Sequence, residues 1–361
     1  MLITDPQAID TVSRLEARGF FGGSRVTAVE PLHRRSLCYR LRLADGRSLF
    51  VKRRSRATAE SLAASFAYER RLTDALSARR IRIPAEFLAI AADDDEILVT
   101  EDLVGYAPLG ERRAEAGGAS EEWAYEVGRR LAMLHVATAS TFGDGDDEGE
   151  LDPELDRVRL PERLLAALSV VAPSANAACS DGWVEMLALV RHAGILRGLE
   201  TAVSHWSPAC IIHGDVSDDN MLCAETVAAR EPVVFVDWES AGYGDPRWDV
   251  GCLVGDVLST WLAGLDFRDG TTLAEWISDS AIPFIDVLAE LRAALAGYES
   301  LVAASRHDRR QWARFAAFSL LERLASSAAS VDALPPHALA YLQAAEQLAL
   351  RPDAALELVG S

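Results

Sequence analysis

Residues 211–220 read IIHGDVSDDN, and a second hydrophobic run, VVFVDWE, ends at Asp237, Trp238 and Glu239. Three polar side chains in this stretch have a spacing that chemistry can use: Asp215, Asn220 five residues later, and Asp237 beyond a hairpin. A carboxylate beside an alcohol orients it and draws off its proton, while an asparagine and a second aspartate give oxygens to the metal ions that neutralise the β- and γ-phosphates of a nucleotide. An aspartate of ordinary pKa, about 3.9, is a weak base at neutral pH. Orientation is therefore the larger part of what Asp215 is expected to supply. The set predicts transfer of a phosphoryl group from ATP, with Mg2+, to a hydroxyl. A lone HGD would fit a surface turn rich in Asp and Asn; the three groups in order do not.

The flanking residues show what must hold them. Ile211 and Ile212 end a strand, and His213-Gly214-Asp215 forms a tight turn. No second His or Cys sits nearby at metal-ligand spacing, so His213 reads as a residue that stabilises the turn. The segment AETVAAREP lengthens the hairpin between Asn220 and Asp237. In GDPRWDVG, residues 244–251, Gly244-Asp245-Pro246 is a turn, and a helix runs from Trp248 through Leu258. Asp249 is expected to bond the backbone of 213–215 from behind, with Asp245 as a residue that could face the acceptor.

This block resembles the catalytic and metal-binding segments of the aminoglycoside phosphotransferase-like kinases, relatives of the eukaryotic protein kinases. Their pattern is HGDxxxxN, then a strand ending in a metal-binding Asp, often followed by Trp-Glu. The resemblance implies an α+β, bilobal, protein-kinase-like fold: a small antiparallel β-sheet lobe over 1–102 and a large, mostly helical lobe over 103–361. It implies that Asp215 is catalytic, that Asn220 and Asp237 bind metal, and that His213 and Asp249 support them. Lys52, at the end of SLFVK, matches the lysine that contacts the α- and β-phosphates and pairs with a helix glutamate. Glu69 in ESLAASFAYERRLTDAL is that partner by separation, and Glu60 reads as a capping acid at the helix start. The segment PLHRRSLCY lies where the family covers the ATP phosphates, yet it has no glycine. Arg34, Arg35 and Ser36 stand there instead, and the arginines are candidates for phosphate or for an acidic part of a substrate. ILVTEDL, residues 97–103, resembles the hinge whose backbone from Thr100 through Glu101, Asp102 and Leu103 meets adenine.

Local patterns supply the remaining elements. Asp5-Pro6 opens a short helix that ends before Gly19 and the Gly22-Gly23 pair. From Val26 to Lys52 the hydrophobic period is two, and Asp45-Gly46 marks a hairpin. Helices follow over EEWAYEVGRRLAMLH, in which His135 reads as structural, between 160 and 205, and over 258–300 and 308–349. GDGDDEGELDPELD, residues 143–156, is too dense in like charge and glycine to pack and reads as a solvated loop. Trp261, Trp276, Tyr298 and Trp312 read as core, with an acceptor cleft as the alternative.

Composition narrows the partners. The 361 residues are 50% hydrophobic, enough for two cored lobes. No long uncharged apolar run predicts a membrane span, and the first twenty residues lack a secretory pattern. Five scattered cysteines without CxxC spacing fit reduced thiols in a cytoplasm. Net charge is −19, but residues 33–82 hold 14 Lys and Arg against 4 acids, so the remainder is about −29. Such an acidic body disfavours nucleic acid and steers polar or cationic small molecules. The expected acceptor is therefore a hydroxyl-bearing small molecule such as an amino sugar or aminoglycoside. A Ser/Thr kinase for a precursor peptide, working with a partner lyase, is one alternative, and an inactive nucleotide-binding scaffold is another.

Overall fold

The computed structural model describes residues 5–33, 37–53, 68–74, 76, 87–90, 97–115, 120–139, 180–268, 272–329 and 331–360. Arg34, Arg35, Ser36, Glu60, the acidic stretch 143–156 and the first helix expected after residue 160 lie outside them. The chain forms two compact units, Met1–Tyr106 with Val236–Glu239, and Ala107–Phe235 with Ser240–Ser361.

In the first unit α1 (Pro6–Ala17) begins at Asp5, whose side chain accepts from Gln7 N at 2.9 Å. Ala8, Thr11 and Leu15 share its buried face. Five strands follow: β1 (Val26–His33), β2 (Leu37–Leu43), β3 (Ser48–Arg53), β4 (Phe87–Ile90) and β5 (Ile97–Glu101). They form one antiparallel sheet in the order β1-β2-β3-β5-β4. Alternation along the strands sends Tyr39, Leu41, Leu49, Val51 and Val99 into one core with Leu15 and Phe21. Lys52 follows Val51 and so points to the opposite face, level with Cys38 and Leu98. Glu69, Leu72, Thr73 and Leu76, among the helical residues 68–74 and 76, are buried at i, i+3, i+4 and i+7.

The second unit is mostly helical. It contains β6 (Ala107–Pro108), α2 (Leu109–Glu115), α3 (Glu121–Ala139), α4 (Asp181–His192), α5 (Ile195–Ser204), β7 (Cys210–Ile212), β8 (Met221–Cys223), β9 (Val233–Phe235) and β10 (Gly242–Gly244). The helices α6 (Pro246–Ala263), α7 (Leu273–Ser278), α8 (Phe284–Glu299), α9 (Arg306–Ala328), α10 (His337–Leu350) and α11 (Pro352–Gly360) complete it. β8 and β9 are the expected hairpin, with Met221 opposite Phe235, and β10 pairs antiparallel with β7. α6 runs past Leu258 to Ala263 because nothing breaks it before Gly264, whose N–H bonds Trp261 O at 3.0 Å.

Two helix pairs carry this unit, α3 with α8 and α6 with α9. The first pair crosses so closely that only hydrogen fits between the backbones. A Cβ on Gly128 would overlap the Ala294 carbonyl, and one on Gly297 would overlap that of Tyr125. Trp261, Tyr298 and Trp312 are buried, so three of the four aromatics are core. Trp276 is half-buried and packs edge-on against Phe267.

Candidate functional site

In the second unit β7 delivers the chain to His213, Gly214 and Asp215. Gly214 has φ +83°, a left-handed conformation that glycine adopts without penalty, so the turn is tight enough to leave Asp215 exposed. The turn is held from below by α6. Asp249, fully buried, accepts from His213 N at 2.7 Å through Oδ2 and from Gly214 N at 2.9 Å through Oδ1. Trp248 Nε1 donates to Gly214 O at 2.9 Å. His135 on α3 contacts Asp249 Oδ2 through Nε2 at 3.0 Å and the Tyr298 hydroxyl through Nδ1 at 2.9 Å. With the carboxylate accepting, Nε2 carries the proton and Nδ1 accepts from the tyrosine. His213 is buried against Phe235, and its Nδ1 accepts from Asp215 N at 3.3 Å.

Beyond Asp215 a single 3-10 turn, Asp218–Asn220, brings the asparagine back. Asn220 Nδ2 donates both to Asp215 O and to Asp215 Oδ2, each at 3.0 Å. One amide thus ties the exposed carboxylate to its own loop. Asp245 does not face an acceptor. It is fully buried as the N-cap of α6, accepting from Arg247 N at 3.0 Å, Ser207 N at 2.9 Å and the Arg247 guanidinium. An N-cap carboxylate before proline is spent on orphan helix amides.

Lys52, Glu69 and Asp237 meet in the first unit. Lys52 Nζ donates to Asp237 Oδ1 at 2.7 Å and to Glu239 Oε2 at 3.0 Å. Burial opposes the lysine's charge, but those two carboxylates overcome it and hold its pKa above the usual lysine range. Glu69 Oε1 accepts from Trp238 N at 3.0 Å, and its Oε2 is buried with no hydrogen-bond partner among the described residues. Burial first, then the charge of Asp237, pushes the Glu69 carboxyl up to about 8. The hydrogen bond of Glu69 thus fixes the backbone just after Asp237. Asp237 has φ +66° and is the non-glycine residue with positive φ among those described. Such a conformation costs about 1–3 kcal/mol and concentrates at functional positions.

At the end of β5, Thr100 is buried opposite Phe50, and Glu101 is exposed. Asp102 turns its carboxylate back to the sheet, to Arg40 Nε at 2.8 Å and Ser48 Oγ at 2.7 Å, and its N–H bonds Ser48 O at 3.1 Å. Its side chain is thereby committed to the sheet. Leu103 is half-buried, and its carbonyl accepts from Tyr106 N at 3.1 Å.

Sequence reasoning passed over Glu239, Trp248 and His135 as partners of these groups. Glu239 and Trp248 were within the quoted motifs, whereas no local pattern marks His135. Among the described residues no group of three His, Cys, Asp or Glu has the arrangement of a self-sufficient metal site. Asn220 in the second unit and Asp237 in the first each carry an oxygen donor of the kind that a hard divalent ion takes.

The phosphotransferase enzyme family model called APH matches residues 35–277, about two thirds of the chain. This chain belongs to that family. It is a phosphotransferase with a kinase-like fold. An amicoumacin kinase in complex with AMP-PNP and Ca2+ is similar over 96% of both chains, with 12% identity and a TM-score of 0.57. The GDP complex of an aminoglycoside 2'-phosphotransferase is similar over 96% of this chain and 97% of that one, with 13% identity and a TM-score of 0.52. A choline kinase from Cryptosporidium parvum covers 98% and 96%, with 12% identity and a TM-score of 0.51. No curated protein matches the chain. Among the described residues no helix is long and apolar enough to cross a membrane.

Proposed function

We propose that this phosphotransferase moves the γ-phosphoryl group of ATP, with Mg2+, to a hydroxyl of a polar or cationic small molecule. The observation that carries the reading is the exposed Asp215 carboxylate, fixed by Asn220 Nδ2 on a loop that Asp249 holds through two amides. In this reading the acceptor oxygen bonds the γ-phosphorus as the bond from that phosphorus to the β-phosphate oxygen breaks. Asp215 orients the alcohol and takes its proton late, as a loose transition state requires. Lys52 aligns the α- and β-phosphates. Asn220 and Asp237 would hold the metal, which supplies charge neutralisation to the phosphates. The backbone from Thr100 to Leu103 meets the adenine. The acidic balance outside residues 33–82 favours a cationic acceptor, and neighbours of this fold include kinases of aminoglycosides and choline. Neither the fold nor these neighbours lend support to a peptide acceptor with a lyase.

The test is purified protein with labelled ATP against a panel of aminoglycosides, amino alcohols and amino sugars, alongside Asp215→Asn. The wild type labels at least one acceptor, and the variant binds Mg-ATP but transfers at least 100-fold more slowly. Transfer by Asp215→Asn at the wild-type rate would refute the role given to Asp215.

A further inference from the structure

The loop is gripped at its far end as well, by charged groups that the proposed chemistry does not use. Asp218, which opens the turn leading to Asn220, is bonded through both backbone and side chain. Its N–H donates to Asp256 Oδ2 at 3.1 Å. Its carboxylate takes Arg113 Nη1 on one oxygen and Thr260 Oγ1, at 3.1 Å, on the other. Arg113 in turn donates to Glu290 Oε1, at 2.6 Å from its Nε, and Arg323 donates to Asp256 Oδ1. Asp256 is fully buried, while Glu290 and Arg113 are nearly so. Arg323 also feels the charges of Asp215 and Asp218.

The arrangement follows from one helix. Asp249 and Asp256 are seven residues apart on α6, two turns, so they share a face about 10 Å apart. Asp249 holds the amides before Asp215, and Asp256 holds the amide after it. Stability alone does not call for this. Buried ion clusters cost so much desolvation that apolar groups of equal volume often do as well or better. What charged, directional bonds provide is position. The turn has three residues, closed by Asn220 N on Ser217 O at 2.9 Å, so a shift of Asp218 carries Asn220 with it.

We propose that Asp256 and Arg323, with Arg113, are positioning residues: they set the Asp218–Asn220 turn, and through it the grip of Asn220 on the Asp215 carboxylate. This rests on the reading of Asp215 as the group that meets the acceptor. Lys52 and Asp237 lie outside the cluster's reach, and of the groups assigned to nucleotide and metal it moves Asn220 alone, so its loss falls on kcat more than on KM for ATP.

The experiment uses the full chain with Mg-ATP and reads phosphate release to water, which needs no identified acceptor, together with calorimetric binding of Mg-AMP-PNP. Asp256→Asn and Arg323→Gln each lower kcat about 10- to 100-fold, the cost expected of a displacement near 1 Å, with KM for ATP changed less than threefold. The double variant is no slower than the worse single one, because both remove the same ion pair. Arg323→Lys, which keeps the charge, recovers most of the rate. Arg323 is partly exposed, so its variants fold even where Asp256→Asn does not. Unchanged kcat in Arg323→Gln overturns the inference, as does a fall in kcat that only tracks a lower melting temperature and is not rescued by lysine. If the wild type binds no Mg-AMP-PNP, or Asp215→Asn hydrolyses ATP like the wild type, the underlying reading fails instead.

Discussion

Asp249→Asn separates the loop's support from its chemistry. In the wild type Oδ2 accepts two bonds, from His213 N and His135 Nε2, and Oδ1 accepts one, from Gly214 N. An asparagine oriented to keep the two leaves its NH2 facing the Gly214 amide, donor against donor. One charge-assisted bond is lost and one buried amide is stranded, a cost of about 2–3 kcal/mol. The mismatch sits one residue before Asp215, so kcat is expected to fall about 10- to 100-fold with binding of Mg-nucleotide kept. Urea unfolding followed by tryptophan fluorescence reads the first quantity and phosphate release the second. A variant within 0.5 kcal/mol and twofold of the wild type would refute the claim that this carboxylate holds the turn.

Other perturbations have equally definite outcomes. Gly128→Ala forces α3 away from the Ala294 carbonyl on α8, and overpacking outweighs the better helix propensity of alanine by about 1–2 kcal/mol. Its melting temperature drops by several degrees in a calorimetric scan, and a drop under 1 °C would remove the close crossing as a constraint. Glu69 has a folded-state pKa near 8 against an ordinary 4.5, so the fold keeps a proton that the unfolded chain has released. Its contribution is fully present below about pH 4.5 and is lost as pH rises toward 8, by up to about 1.4 kcal/mol per pH unit. Denaturant midpoints of metal-free protein from pH 5 to 8 fall accordingly, and Glu69→Gln flattens that slope; an identical slope in the variant would contradict it.

The fold was readable where local rules act. Period two gave the strands up to Lys52, Asp45-Gly46 gave the hairpin, and Asp5-Pro6 gave the first helix. The helix expected from Trp248 through Leu258 is longer at both ends: Asp245-Pro246 caps and opens α6 where a turn is expected, and at the far end apolar residues continue on every side of a buried helix, so periodicity no longer marks the boundary. The residues of the candidate site came from short motifs for the same reason: Asp215 and Asn220 lie in one turn, with spacing visible in the chain. Partners from distant segments left no such trace. Nothing around His135 announces Asp249, 114 positions away, and nothing in α2 points Arg113 at Asp218. Asp245 was misread because a capping carboxylate and a substrate-facing one look alike in a string of letters.

Four residues from the middle of the chain, Val236–Glu239, belong to the amino-terminal unit. That unit is therefore not a segment that can be cut out at residue 106. A fragment ending there would keep Lys52 on its strand but strip away both carboxylates that neutralise it, and would leave the Glu69 oxygen facing no Trp238 amide. Circular permutation or splitting of the gene has to respect this discontinuity: a break in the loop at 224–232 keeps the hairpin's far strand attached to the residues that the lysine requires, whereas a break between Phe235 and Ser240 severs them.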